Sequence, residues 1–115
     1  MSTVKDNQYR AGGHLRIAVA ASVVPLTAVL ITKILGDGPH AATKVLITVE
    51  DAPIYWTCDG TAPVADGTAG HPANVGDNIE LTNWGNINNF QCIAQSGGSA
   101  HIAVTSFFND TGWPV

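Results

Sequence analysis

Apolar and polar residues alternate in short runs between residues 44 and 108. Gly, Pro, Asn and Asp fill the segments between these runs. Alternation with a period of two places the apolar side chains on one face of an extended strand. The pattern predicts strands at residues 44–50, 53–58, 78–82, 89–95 and 100–108. Short strands separated by turn signals are typical of an all-β sandwich or jelly-roll.

The same alternation predicts which side chains face the core of this sandwich. His101 is out of phase with Ile102 and Val104, so we expect it on the solvent or interface side. The expected core residues are Val45, Ile47, Val49, Ile79, Leu81, Phe90, Cys92, Ile102 and Val104.

An apolar stretch at residues 17–32 has the hydrophobicity of a signal peptide or membrane span. A span needs about 20 apolar residues, and Pro25 would break a helix in the middle of this shorter stretch. We therefore predict strands at about 14–22 and 26–35, with a bend near Pro25. A helix over residues 26–35 is an alternative, since Leu, Ala and Lys are good helix formers. A membrane-anchored or secreted domain is a further alternative that rests on this stretch alone.

The two ends of the chain lack the alternating pattern. Residues 1–13 are polar and end in Ala11-Gly12-Gly13, which predicts a flexible N-terminal arm. Residues 109–115 form a C-terminal tail, in which Trp113 is expected to dock on its own domain or on a neighbour. Residues 14–108 are the predicted β-sandwich domain.

The composition and net charge of the chain limit the kinds of molecule that it is expected to bind. A chain of 115 residues is long enough for one domain. Charged residues make up 12% of it, about half of the usual share of roughly 25%. Its five Lys and Arg residues all lie within the first 44 positions and its net charge is −4, which argues against nucleic acid as partner. The low charge suits a subunit of an assembly and equally a monomer with a neutral polar surface.

Two cysteines, Cys58 and Cys92, lie among apolar residues in predicted strands. This placement favours unpaired core thiols in a protein made in a reducing compartment over a disulfide bond. Cys58 also has no base close to it in the sequence, which argues against a nucleophilic role.

No motif points to catalysis, a metal or a cofactor. The histidines share no metal-ligand spacing, and the Asp-Gly pairs at 59–60 and 66–67 predict turns rather than calcium loops. The chain has neither a nucleophile elbow nor a glycine-rich phosphate loop. Glu50 and Asp51 are adjacent and would point to opposite faces of a strand. We therefore expect no enzyme.

Aromatic, basic and histidine side chains outside the expected core are the candidate contact residues. Tyr55 and Trp56 are consecutive, so only one of them can face the core. Exposed aromatic side chains suit a carbohydrate as well as a protein subunit, and their spacing does not separate the two. The candidate interface set is Arg10, His14, Arg16, Tyr55, Trp56, Trp84, His101 and Trp113.

A series of short motifs, made largely of turn residues, runs from residue 47 to residue 105. The motifs are Ile47-Thr48-Val49-Glu50, Ala52-Pro53-Ile54, Asp59-Gly60-Thr61, Pro63, Gly70-His71, Gly76-Asp77, Ser96-Gly97 and Val104-Thr105. Together they resemble a family of small virion proteins of tailed bacteriophages, over about residues 15–108. Cys58 and residues 83–89 depart from the family pattern, which has a charged residue or Val before the turn and a more apolar loop.

The resemblance implies a β-sandwich structural protein of the virion. It implies a capsid cement or decoration subunit that binds and stabilises the assembled phage head, made in the host cytoplasm and placed on the capsid surface. Its partner would be the major capsid protein or another virion protein, without nucleic acid or membrane. Such a subunit is expected to be a homo-oligomer, with a trimer favoured. The alternative is a tail or fibre adhesion or carbohydrate-binding module that uses Trp56, Trp84 and residues 59–77.

Overall fold

Antiparallel strands make up most of the backbone in the computed structural model, which describes residues 9–26, 31–35, 38–95 and 98–109. The strands are β1 (Tyr9–Val19), β2 (Val24–Pro25), β3 (Thr32–Leu35), β4 (Gly38–Ala41), β5 (Lys44–Val49), β6 (Ile54–Thr57), β7 (His71–Ala73), β8 (Asn78–Leu81), β9 (Gln91–Ala94) and β10 (Ala100–Asn109). A short helix, α1 (Trp84–Asn88), lies between β8 and β9. Each of the five strands predicted between residues 44 and 108 is present, with ends within two residues of those predicted.

The strands of the described residues form two four-stranded sheets and a separate β3–β4 hairpin. The first sheet has the order β1-β10-β5-β8 and the second the order β2-β9-β6-β7. The pairs β1–β10, β2–β9, β5–β8 and β6–β7 are nested, as in one long hairpin that turns at residues 58–70. Rolling this hairpin brings β10 beside β5 and β9 beside β6. That arrangement is a jelly-roll, and the predicted all-β sandwich is confirmed.

The core lies between the two sheets and contains every residue predicted for it. None of these side chains exposes more than 6% of its surface. On β10 the alternation places Ile102 and Val104 inward and His101 outward, as predicted. Phe108 extends the core toward the far end of β10, where Ile31 and Ala42 also join it.

Strand β1 begins five residues earlier than predicted, so residues 9–13 belong to the first sheet and not to a flexible arm. β1 pairs with β10 along its whole length, with a bulge between Ala11 and Gly13. The backbone of Gly12 approaches the buried Phe108 ring so closely that a Cβ at this position would overlap the ring. Glycine is needed here for close packing. Residues 1–8 and 110–115 lie outside the described residues.

The apolar stretch after β1 changes sheets. The chain leaves the first sheet at Val19 and enters the second at β2, which pairs with the first two residues of β9. Pro25, where a bend was predicted, lies in this two-residue strand at the sheet edge, a position that tolerates proline. Of the strand predicted at 26–35, residues 32–35 form β3, and residues 27–30 lie outside the described residues.

Helix α1 replaces the loop that the Asn-rich sequence of residues 83–89 predicts. The side chain of Asn83 accepts a hydrogen bond from the backbone N–H of Asn86, 3.1 Å away, and so caps the helix. Ile87 is fully buried and joins α1 to the core. Trp84, in the first turn of α1, remains 40% exposed.

Candidate binding surface

The outward side chains of the first sheet are aligned in rows across its four strands. The register gives the rows His14-Thr105-Leu46-Glu80, Arg16-Ala103-Thr48-Asn78 and Phe107-Lys44. We call the surface made by these residues and His101 the outer face. Each of its side chains is half-buried or exposed, so no described part of the chain covers the surface.

Four charged or titratable groups meet at one corner of the outer face. Arg16 donates from Nε to Oε1 of Glu50 at 2.7 Å, and its guanidinium lies 3.8 Å from Asp51 Oδ2. Asp51 accepts two hydrogen bonds from His101, one from the backbone N–H and one from Nδ1, both at 2.8 Å. These contacts join β1, β10 and the segment that follows β5. All four side chains remain partly exposed.

The hydrogen bond from the His101 ring holds the pKa of Asp51 below its ordinary value. Burial opposes this shift, while the backbone N–H of His101 and the charges of His101 and Arg16 add to it. A carboxyl whose pKa is lower in the folded state contributes stability above its ordinary pKa. That contribution disappears as the pH falls through the folded-state pKa.

Replacing Asp51 with Asn is expected to make the free energy of unfolding depend less on pH in the acid range. Asn keeps an oxygen that can accept the backbone hydrogen bond of His101 but has no charge to titrate. The wild-type protein should be the more stable at neutral pH, and the difference should vanish between about pH 4 and pH 2. Urea unfolding of both proteins over this pH range measures the difference in their free energies of unfolding. A constant difference down to pH 2 would show that the Asp51 charge does not stabilise the fold.

The rest of the outer face combines one further ion pair, Lys44 Nζ to Glu80 Oε2 at 3.4 Å, with neutral side chains. His14 Nδ1 lies 2.8 Å from the hydroxyl of Thr105, and the hydroxyl of Thr48 donates to Asn78 Oδ1 at 2.7 Å. Leu46 exposes 36% of its surface among these polar groups. A surface that combines apolar, neutral polar and ion-paired side chains is compatible with a protein–protein contact. Its hydrogen bonds and ion pairs are exposed, so exchanging them for partner contacts costs little free energy.

Three of the candidate interface residues, His14, Arg16 and His101, lie together on this outer face. Tyr55, Trp56 and Trp84 lie on other elements. The backbone of Arg10 belongs to β1. The side chain of Arg10 and the whole of Trp113 lie outside the described part of the structure.

The aromatic residues predicted for sugar binding do not form one platform, because Tyr55 and Trp56 point to opposite faces of β6. Trp56 stacks on the buried Phe90, with ring centroids 5.9 Å apart, and lies 5.0 Å from the ring of His71. Tyr55 lies on the other side, against the turn at Gly67, where a Cβ would come within 2.8 Å of its hydroxyl. Trp84 alone of the three is well exposed.

A cavity of about 340 Å³ lies where β6 ends and β7 begins. Cys58, Asp59 and His71 contribute to its wall, together with Thr57, Thr61, Ala69 and Gly70. The sequence shows no base near Cys58, but the pairing of Trp56 with His71 brings an imidazole to the same cavity. The His71-Pro72-Ala73 strand was not predicted, since it is short and contains a proline.

Within the described residues, no group of three or more His, Cys, Asp or Glu side chains is arranged to hold a metal ion. None of the helices in this part of the chain is long and apolar enough to cross a membrane. Comparison with models of known protein families gave no match, and comparison with curated proteins gave none either. The function is therefore argued from the surface of the jelly-roll and from the motifs of the sequence.

Proposed function

We propose that the chain is a structural subunit of a tailed-phage particle that binds the assembled head as a cement or decoration protein. The observation that carries this proposal is the outer face, an uncovered four-stranded surface that combines neutral side chains with two exposed ion-paired groups, one around Arg16 and one formed by Lys44 and Glu80. The resemblance of residues 15–108 to small virion proteins supports the same role. Jelly-rolls occur in viral capsid proteins and also in lectins, so the fold agrees with the proposal without defining the function.

Several of the motifs that carry the resemblance occupy structural positions in the described part of the chain. Ile47 and Val49 are core residues of β5. Gly76 has a φ of 90°, in the left-handed region that favours glycine. Asp77 accepts a hydrogen bond from the backbone N–H of Asn74 at 2.7 Å and fixes the turn before β8. These residues stabilise the core and the turns of the fold, as expected of a protein that functions through its surface.

A cement subunit stabilises a shell because it binds the assembled state and not the free shell proteins. Binding to one state of an equilibrium shifts the equilibrium toward that state. A trimer at a local threefold axis presents three identical copies of the outer face. Weak contacts of the three copies then add through their high effective concentration.

Replacing Leu46 with Gln is expected to weaken binding to heads that lack this chain by about tenfold, because an amide would be buried at the centre of the contact. The matched control is Val75→Gln, at an apolar residue that is 54% exposed in the turn before β8. Val75 lies off the outer face, so its variant should bind as the wild type does. Cosedimentation of purified protein with purified heads measures both affinities.

Thermal melting of the two variants separates a binding defect from a folding defect. Both substitutions are at exposed positions, so both variants should melt close to the wild-type temperature. Wild-type protein that stays in the supernatant with heads would refute the proposed function. Equal binding by the Leu46 variant and the wild type would refute the assignment of the outer face.

A further inference from the structure

Three of the four edge strands in the two sheets are poorly suited to pairing with another chain. β2 and β7 are two and three residues long and contain Pro25 and Pro72, which lack a backbone N–H. β8 has four residues and carries Glu80 on the outer face. β1 differs, since it has 11 residues and no proline. Its bulge lies near the start of the strand, and residues 13–19 pair with β10 in unbroken register.

Every second residue of β1 directs its backbone N–H and C=O away from β10. The backbone oxygen of His101 in β10 accepts a hydrogen bond from the N–H of Glu50 at 2.9 Å, on the β5 side. Backbone groups of an antiparallel strand alternate in direction, so the next residue, Ile102, bonds to its β1 partner Ile17 on the other side. By the same alternation, the β1 residues whose backbone groups reach the open edge are His14, Arg16 and Ala18.

The core is incomplete beside this edge, at Leu15. The register places Leu15 in one row with Val104, Ile47 and Ile79 on the inner side of the first sheet. The other three side chains of this row expose 6% of their surface or less, whereas Leu15 exposes 41%. Leu15 is therefore an inward-facing apolar side chain that the described part of the chain covers only in part. Covering it would remove further apolar surface from water.

We propose that the β1 strands of two copies of this chain pair antiparallel around a twofold axis at Leu15. With the axis there, His14 lies opposite the partner's Arg16, and Arg16 lies opposite the partner's His14. The outward backbone groups of each pair then exchange two hydrogen bonds. Leu15 meets the partner's Leu15 in the non-hydrogen-bonded pair between them, where the Cα atoms of facing residues are about 4.5 Å apart. The two leucines cover each other, and the two four-stranded sheets become one continuous sheet.

The chemistry of the edge favours a second copy as the occupant. An antiparallel strand is its own complement under a twofold rotation, so each outward donor meets an acceptor. An axis at Arg16 would place two guanidinium groups opposite each other. With the axis at Leu15 they are separated, and each keeps its ion pair with Glu50 of its own copy, which has a length of 2.7 Å. Pairing of β1 with β8 of the next copy would not close and would continue into a polymer.

This inference does not rest on the proposed function, because it concerns the open edge of the first sheet and not the outer face. The pair forms in solution and needs no shell. It also leaves the outer faces of both copies uncovered and extends them across the joined sheet. A threefold arrangement on a shell would use contacts other than this edge.

Sedimentation equilibrium of the full chain over a range of concentrations tests the pairing. The wild-type protein should form a reversible dimer. His14→Pro removes an N–H that is directed to the open edge and leaves the hydrogen bonds between β1 and β10 intact, so it should raise the dissociation constant of the dimer by about tenfold or more. The matched control is His14→Ala, which keeps this N–H and should dimerise as the wild type does. Circular dichroism during heating should show that both variants fold.

Leu15→Cys tests the position of the axis. Facing residues of a non-hydrogen-bonded pair lie within the Cα separation of about 4.4–6.8 Å that a disulfide bond spans. The introduced thiols should therefore join two chains on mild oxidation, as seen on a non-reducing gel. Val23→Cys is the control, since Val23 is 37% exposed in the connection after β1 and should give no more covalent dimer than the wild type.

Four results would overturn the proposal. The first is a wild-type chain that stays monomeric at every concentration, and the second is one that assembles into trimers or into a growing polymer. The third is a His14→Pro variant that folds and dimerises as tightly as the wild type. The fourth is a thiol at position 15 that joins two chains no faster than a thiol at position 23.

Discussion

Replacing Val104 with Asp is expected to abolish cooperative folding. Val104 is fully buried on β10, between Leu15 of β1 and Ile47 of β5 in the first sheet. An isolated carboxylate at this position has no partner, and protonating it still leaves a polar group in an apolar core. The cost is on the order of several kcal/mol, comparable with the whole stability of a small domain. Circular dichroism during heating should show no cooperative transition.

The matched control is the same substitution one residue further along the strand. Thr105 faces outward and lies beside the imidazole of His14, so Asp at this position remains in contact with water. Thr105→Asp should fold and melt cooperatively, within about 1 kcal/mol of the wild type. A soluble, cooperatively melting Val104 variant would contradict the inward orientation of this side chain.

Replacing Phe90 with Ala is expected to lower the free energy of unfolding by about 3–5 kcal/mol. Phe90 is fully buried between α1 and β9, and its ring stacks against Trp56. Truncation leaves a cavity in the core and removes the ring contact. Urea unfolding monitored by Trp fluorescence measures the change.

Trp84→Ala serves as the control for this substitution, because Trp84 is also aromatic, lies nearby in the sequence and is 40% exposed. Its loss should cost about 1 kcal/mol or less. If the two substitutions cost the same free energy, the packing described around Phe90 is incorrect.

The sheets and core of this protein were predictable because strand alternation is a local signal. Ile47 and Val49, or Ile102 and Val104, show the period of two directly in the sequence, and the side chains face the core as predicted. The order of the strands within the two sheets of the jelly-roll was less predictable from the sequence. It depends on pairing between strands such as β1 and β10, which are far apart in the chain.

Local signals failed where a residue serves a distant partner. Gly12 is typical of a flexible segment, but here it makes room for the ring of Phe108, which comes almost a hundred residues later. A second failure has a local cause: the Asn-rich sequence of residues 83–89 predicts a loop, although the side chain of Asn83 caps a helix. The helix was not predicted because it is short and its Asn-rich sequence has low helix propensity.

Three of the candidate interface residues, His14, Arg16 and His101, lie together on the outer face, but the sequence does not predict which other residues accompany them. Arg16 and Glu50 are 34 positions apart, and Asp51 and His101 are 50 apart. Only the register of β1, β10 and β5 brings them to one corner. The cavity beside Cys58 arises in the same way, since His71 reaches it through the pairing of β6 with β7.

The proposed function requires that the outer face of this jelly-roll attaches it to an assembled phage head. Electron microscopy of heads saturated with the purified protein tests this claim most directly. We expect added density on the shell, in which the β1-β10-β5-β8 sheet lies against the capsid subunits and the cavity beside Cys58 points away. Heads without added density, or density that touches the shell through the opposite sheet, would contradict it.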